Sequence, residues 1–129
     1  MLDESKLFCH WYAKKFLPKN KLSKFNILID KEVKFLLSKI KLKNNNFVHK
    51  DFHVSNLMNY KSKLAVIDTQ DALIGNRTYD LASLIDDVRF KSSKEFKDNM
   101  YNYYLRLNRK NINKELFLND FEILSVLRN

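Results

Sequence analysis

Glycine occurs once in the 129 residues, at Gly75, and proline once, at Pro18. Both residues punctuate chains, so their scarcity argues against many tight turns and for long helices. Cys9 is the one cysteine, which excludes a disulfide within the chain and fits a reducing compartment. No apolar run approaches the roughly 18 residues that a membrane span requires. The opening segment, MLDESKLFCH, has acids where a secretory leader would have bases. These absences predict a cytoplasmic protein without a membrane segment. Repeats and low-complexity linkers are missing too, and the length allows one domain at most.

What is present is an ordinary globular composition with an unusual charge. Hydrophobic residues make up 45%, enough for a modest core and too many for wholesale disorder. The formal net charge is +9, which raises the question of nucleic acid. Lysine outnumbers arginine 19 to 5 and is spread along the chain rather than gathered in a block. That distribution reads as a solvated surface, and a nucleic-acid partner is disfavoured.

Apolar spacing predicts a first helix from Asp3, as its cap, to about Phe16, with Leu7, Trp11, Phe8 and Tyr12 facing inward. A second helix fits Leu22 to Leu42, with Leu22, Phe25, Ile29, Val33, Leu36 and Ile40 on one face. The run Asn44-Asn45-Asn46 stops it. FVH is a short apolar piece, and NLMNY and KLAVID around KSK read as a hairpin. An irregular polar loop containing Gly75 follows. Helical spacing resumes at Tyr79 with Leu81, Leu84, Ile85 and Val88. It continues with Phe96, Met100, Tyr103 and Leu107, and then with Phe117, Phe121 and Leu124. The expected class is α+β, mainly helical, with one small β-hairpin. The stripes on the later helices read as core.

The chemistry concentrates in FVHKDFHVSNLM, residues 47–58. His49, Asp51 and His53 alternate, so on an extended strand they would share a face and offer zinc nitrogen and oxygen ligands. The remaining histidine, His10, lies in a distant helix, so a fourth ligand is wanting. A structural reading is also open, because His and Asn often bond backbone groups in loops. The spacing supports a third reading. His49-Lys50-Asp51, four residues and then Asn56 fits the kinase catalytic loop H-x-D-x-x-x-x-N. There an aspartate accepts the proton of the attacking hydroxyl and an asparagine reaches magnesium. A further aspartate, delivered by an apolar strand, completes the metal set. Asp68, at the end of LAVID, is placed to be that residue.

HKDFHVSN together with IDTQDALIGNRTYDLA resembles the aminoglycoside phosphotransferase-like branch of the protein-kinase fold. In that family a glycine follows the metal-binding aspartate by seven residues, and an aspartate in a D-x-A element follows five later. Asp68, Gly75, Asp80 and Ala82 stand at those spacings. The likeness is greater still to bacterial kinases that phosphorylate N-acetylmuramate and N-acetylglucosamine at the anomeric hydroxyl. It runs through VHKDFHVSNLM and IDTQDALIGNRTYDLASLIDDVR, and loosely through LFCHWYAKKFL and FEILSVLRN.

The resemblance implies roles. Asp51 would be the catalytic base or hydroxyl-orienting carboxylate, and Asn56 and Asp68 the magnesium ligands. His49 and Asp80 would support the catalytic loop, Asp80 also being placed to cap the helix it opens. Lys50, His53 and Asp71 are candidates for phosphate or substrate contact. Asp86, Asp87 and Arg89 read as surface charges or a local pair. The implied cofactor is Mg2+ with ATP, and the implied acceptor is a sugar or amino sugar. With one glycine, placed after the catalytic loop, the chain has no glycine-rich nucleotide loop. Residues 1–129 are thus expected to be a partial phosphotransferase domain, a kinase-like C-lobe with the N-lobe absent and both ends truncated. A separately encoded N-lobe would then be a partner, and the isolated chain is expected to be inactive. The competing reading is a non-catalytic, basic helical module that binds nucleic acid or a protein.

Overall fold

Residues 1–40 have helical spacing throughout, and in the computed structural model, which describes residues 2–108 and 112–128, they form a helical unit of their own. Helix α1 covers 2–16. It is α-helical over Leu2–Leu7 and Lys14–Phe16 and π-helical over Phe8–Ala13. Helix α2 runs Lys19–Ser38, with Pro18 immediately before it, where a missing N–H costs nothing. Asp3 lies inside the first turn and pairs with Lys6 at 3.0 Å instead of capping.

The inward face of α1 differs from expectation. Cys9 and Ala13 are buried, whereas Leu7, Phe8, Trp11 and Tyr12 are exposed. A π-helical stretch closes wider hydrogen-bonded rings, so the 3.6-residue spacing no longer indicates which side chains share a face. Burial pushes the Cys9 thiol above its ordinary pKa, the reverse of what a reactive thiolate needs. On α2 the expected stripe of Leu22, Phe25, Ile29, Val33, Leu36 and Ile40 is half-buried throughout.

Residues 41–129 form the second unit. Strand β1 (Asn44–Val48) starts within the asparagine run, with a bulge between Asn44 and Asn46. The hairpin is as expected: β2 (Leu57–Tyr60) pairs with β3 (Lys63–Val66). Its two turn residues, Lys61 and Ser62, both have positive φ, the conformation that suits the twist of a two-residue turn. Strand β4 (Leu73–Asn76) was expected to be irregular loop. It pairs antiparallel with β1, setting Gly75 opposite Asn46. Four residues between polar neighbours carry too little alternation to announce a strand. Gly75 has no positive φ. It is needed for space, since a Cβ there would meet Leu73 Cδ1 at 3.0 Å and Val48 Cγ2 at 3.1 Å.

Helix α3 (Tyr79–Ile85) packs on α5 (Lys114–Arg128), and α4 (Lys94–Leu107) lies between them in sequence. The core gathers Val48, Tyr79, Ala82, Ile85, Phe117, Phe121 and Leu124. Phe117 stacks with Tyr104 at 5.5 Å and with Phe121 at 6.2 Å. One expected core position and one expected core stripe are not core. Val88 lies beyond the end of α3 and is 72% exposed. The stripe Phe96, Met100, Tyr103 and Leu107 on α4 lines one side of an open apolar groove of about 430 Å³. No helix among the described residues is long and apolar enough to cross a membrane.

Candidate functional site

Strand β1 delivers the chain to the polar cluster, and two carboxylates hold it there. Beyond Val48, the backbone N–H of His49 donates to Asp80 Oδ2 at 2.7 Å, and that of Lys50 donates to Asp80 Oδ1 at 3.0 Å. Asp80 sits in the first turn of α3. Its carboxylate binds the amides of the 49–50 segment, whereas the sequence had offered it both as support for that loop and as a cap for its own helix. Before β1, the N–H groups of Lys41 and Leu42 each donate to Asp120 at 2.8 Å. Asp120 is fully buried and also accepts from Asn76 Nδ2 at 2.7 Å. Asn76 Oδ1 in turn accepts from Thr78 N and Thr78 Oγ1, at the start of α3. These contacts tie α5, β4 and α3 to the two ends of one strand.

Lys50 has φ +79, so the extended chain breaks there. His49, Asp51 and His53 therefore do not alternate along a strand face, the arrangement a zinc reading required. Instead the chain folds back on itself. His53 N donates to Asp51 O at 3.0 Å, and Asn56 N donates to His53 O at 2.9 Å. The Asn56 side chain is buried, and its Nδ2 donates to Asp51 O at 2.9 Å. The residue ahead of Asp68 is pinned to the same loop: Ile67 N donates to Asn56 O at 3.1 Å, and His49 Nε2 donates to Ile67 O at 3.0 Å. A carbonyl can only accept, so Nε2 carries a proton, and the buried Nδ1 of His49 has no partner among the described residues.

Asp51, Asn56 and Asp68 are thereby linked through three short backbone segments. Asp68 is exposed, at φ +70, and accepts from Gln70 Nε2 at 2.6 Å. A non-glycine residue in this region is strained, and such strain gathers at functional sites. Asn56 spends its amide nitrogen on Asp51 O, which leaves Oδ1 as the group it can offer a cation. An amide oxygen plus a carboxylate is the hard donor set that magnesium takes, with water and phosphate oxygens filling its other positions. No group of three His, Cys, Asp or Glu side chains gathers among the described residues. Asp71 is exposed on the turn before β4.

A cavity of about 240 Å³ opens beside Asp51, walled by His53, Ser83, Asp87, Arg89 and Arg128. Asp87 and Arg89 had been read as surface charges or a local pair. In fact the Asp87 side chain is only 6% exposed, and it takes Arg89 Nε at 2.8 Å and Nη2 at 2.5 Å. The Arg89 hydrogen bond holds the Asp87 carboxyl down at about 2, well below the usual carboxylate range. Asp86 pairs with Lys97. The DDVR run was visible in the sequence, but the burial of Asp87 was not. Nothing local pointed to Ser83 or Arg128, which long-range folding brings to Asp51.

The loop sits on a mixed helix-and-strand scaffold. The sequence pattern of the phosphotransferase enzyme family matches residues 8–113, more than half of the chain. The chain belongs to that family and is by family a kinase or phosphotransferase. It is also similar to an N-acetylmuramate/N-acetylglucosamine kinase of Neisseria meningitidis serogroup B, with 38% identity over 96 residues. That match covers 74% of this chain and 29% of the length of the relative.

Proposed function

We propose that the chain supplies the C-lobe of an ATP-dependent, cytoplasmic phosphotransferase that moves the γ-phosphoryl group to a hydroxyl of an amino sugar. The observation that carries this reading is the hydrogen-bonded loop of Asp51, Asn56 and Ile67, closed beneath by Asp80. Asp51 takes up or orients the acceptor hydroxyl's proton as the oxygen attacks. Asn56 Oδ1 and Asp68 hold Mg2+, which neutralises charge on the transferring phosphate. His49 and Asp80 fix the loop. Lys50, His53 and Asp71 are the candidates for phosphate or acceptor contact, and of these His53 lines the Asp51 cavity.

Phosphoryl transfer rests on positioning and electrostatics. The 129 residues contain one glycine and no glycine-rich loop to cover a nucleotide. We therefore expect negligible turnover from this chain alone, with the nucleotide-covering lobe supplied by a longer or separate polypeptide. Strand faces fit that arrangement: Phe47, Leu64 and Ile74 are each at least 65% exposed. The test is amino-sugar-dependent ATP consumption by the native species isolated from its own cells, beside the 129-residue chain. The reading expects turnover in the native species, abolished by Asp51→Asn, and none from the chain alone. Salt-sensitive nucleic-acid binding that ignores Asn56→Ala and Asp68→Ala, without turnover, would favour a basic binding module instead.

A further inference from the structure

Asn56 and Asp68, the two proposed magnesium ligands, are prepared alike in unlike surroundings. Each side chain spends one polar atom on a neighbour and keeps one oxygen. Asn56 Nδ2 donates to Asp51 O at 2.9 Å, which leaves Oδ1. Asp68 Oδ1 accepts from Gln70 Nε2 at 2.6 Å, which leaves Oδ2. Asn56 is buried, so its amide needs a partner in any case. Asp68 and Gln70 are exposed, as is every residue from Val66 to Asp71. Water would serve either group there as well, so stability does not account for their bond.

The backbone sets this contact up. Asp68 has φ +70, and Ala72 N donates to Thr69 O at 3.1 Å, closing a turn with Gln70 as its second residue. Between them, the strained Asp68 and this turn return the Gln70 amide to the carboxylate two residues earlier. An exposed carboxylate that rotates freely must be ordered before it can hold a cation, and one already fixed binds at a lower entropic cost. We infer that Gln70 is a positioning residue for the metal: its amide fixes Asp68 through Oδ1 and keeps Oδ2 for Mg2+. This rests on the phosphotransferase reading above and adds to it a residue that acts through Asp68 alone. A neutral amide suits the task, because a lysine or arginine at that distance would set its own charge against the cation's.

Calorimetric titration of the purified chain with ATP at stepped Mg2+ concentrations tests this, in wild type, Gln70→Ala and Gln70→Met. Methionine keeps the length of the side chain and removes its donor. Both variants should need roughly 10-fold or more Mg2+ for half-maximal ATP binding, the scale on which partners of metal ligands act. Saturating Mg2+ should restore the wild-type ATP affinity, and the urea transition should not move. An Mg2+ requirement within about twofold of wild type in both variants would overturn the inference and leave the phosphotransferase reading standing. A loss that excess Mg2+ does not restore, or a lowered urea midpoint, would also overturn it, by making Gln70 a support for the fold. Wild-type chain that binds no ATP, or binds it without regard to Mg2+, would overturn the reading and the inference with it.

Discussion

Asp120 and Asp80 do the same thing at opposite ends of β1, and the surroundings of each show what the device is for. Each carboxylate projects from a helix and accepts two consecutive backbone N–H groups, those of Lys41 and Leu42 for Asp120 and those of His49 and Lys50 for Asp80. Asp120 is fully buried, and a side-chain amide also donates to it. The segment it holds carries no chemistry. Asp80 is half-buried, and the segment it holds leads directly into Asp51. One clamp sets where β1 begins, and the other sets where the functional loop departs. A carboxylate is suited to both tasks, since its two oxygens match two adjacent amides and burial strengthens each bond.

Removing the clamps separately should separate their tasks. Asp120→Ala strands two backbone amides and the Asn76 side chain, and should cost about 3 kcal/mol of unfolding free energy. Urea titration would show this as a lower midpoint with an unchanged slope. Asp80→Ala strands two amides at a less buried place and should cost about 2 kcal/mol. Its distinguishing effect is local: hydrogen exchange at His49 and Lys50 should accelerate well beyond that of the α5 core, whereas Asp120→Ala should loosen both together.

A smaller effect concerns the cavity wall. Asp87 has a folded-state pKa of about 2 against an ordinary 3.8. A carboxyl depressed on folding stabilises the protein above the unfolded value and loses that contribution as pH falls through the folded one. Stability should therefore decline between pH 3.8 and about 2. Arg89→Met should flatten that part of the curve, as acid titration followed by circular dichroism would reveal. Smallest is Gly75→Ala, which presses a methyl group on Val48 beneath the loop and should cost about 1 kcal/mol in thermal or urea unfolding.

The same contrast marks what could be read from the sequence. Asp51, Asn56, Asp68, Gly75 and Asp80 stood out in the sequence because the spacing of one pair of motifs singles them out within residues 49–82. Asp120, Asn76 and Arg128 were not, because their partners are distant in sequence and a polar residue on an amphipathic helix looks the same whether buried or wet. A local pair had been offered for Asp87 beside a plain surface charge, but its burial under the Arg89 contact could not be read from the sequence. The hairpin was readable from its alternation and turn, whereas β4 owes its existence to β1. The inward face of α1 was misassigned because a π-helical segment changes the period on which such assignments depend. Periodicity also located the stripe on α4, but a stripe does not say what covers it.

The most direct test of the phosphotransferase site is calorimetric titration of the purified chain with ATP in the presence and absence of Mg2+. The account predicts binding that requires Mg2+ and is lost in both Asn56→Ala and Asp68→Ala, while those variants retain the wild-type urea transition. Nucleotide binding indifferent to Mg2+ and to both substitutions, or no binding at all, would contradict it.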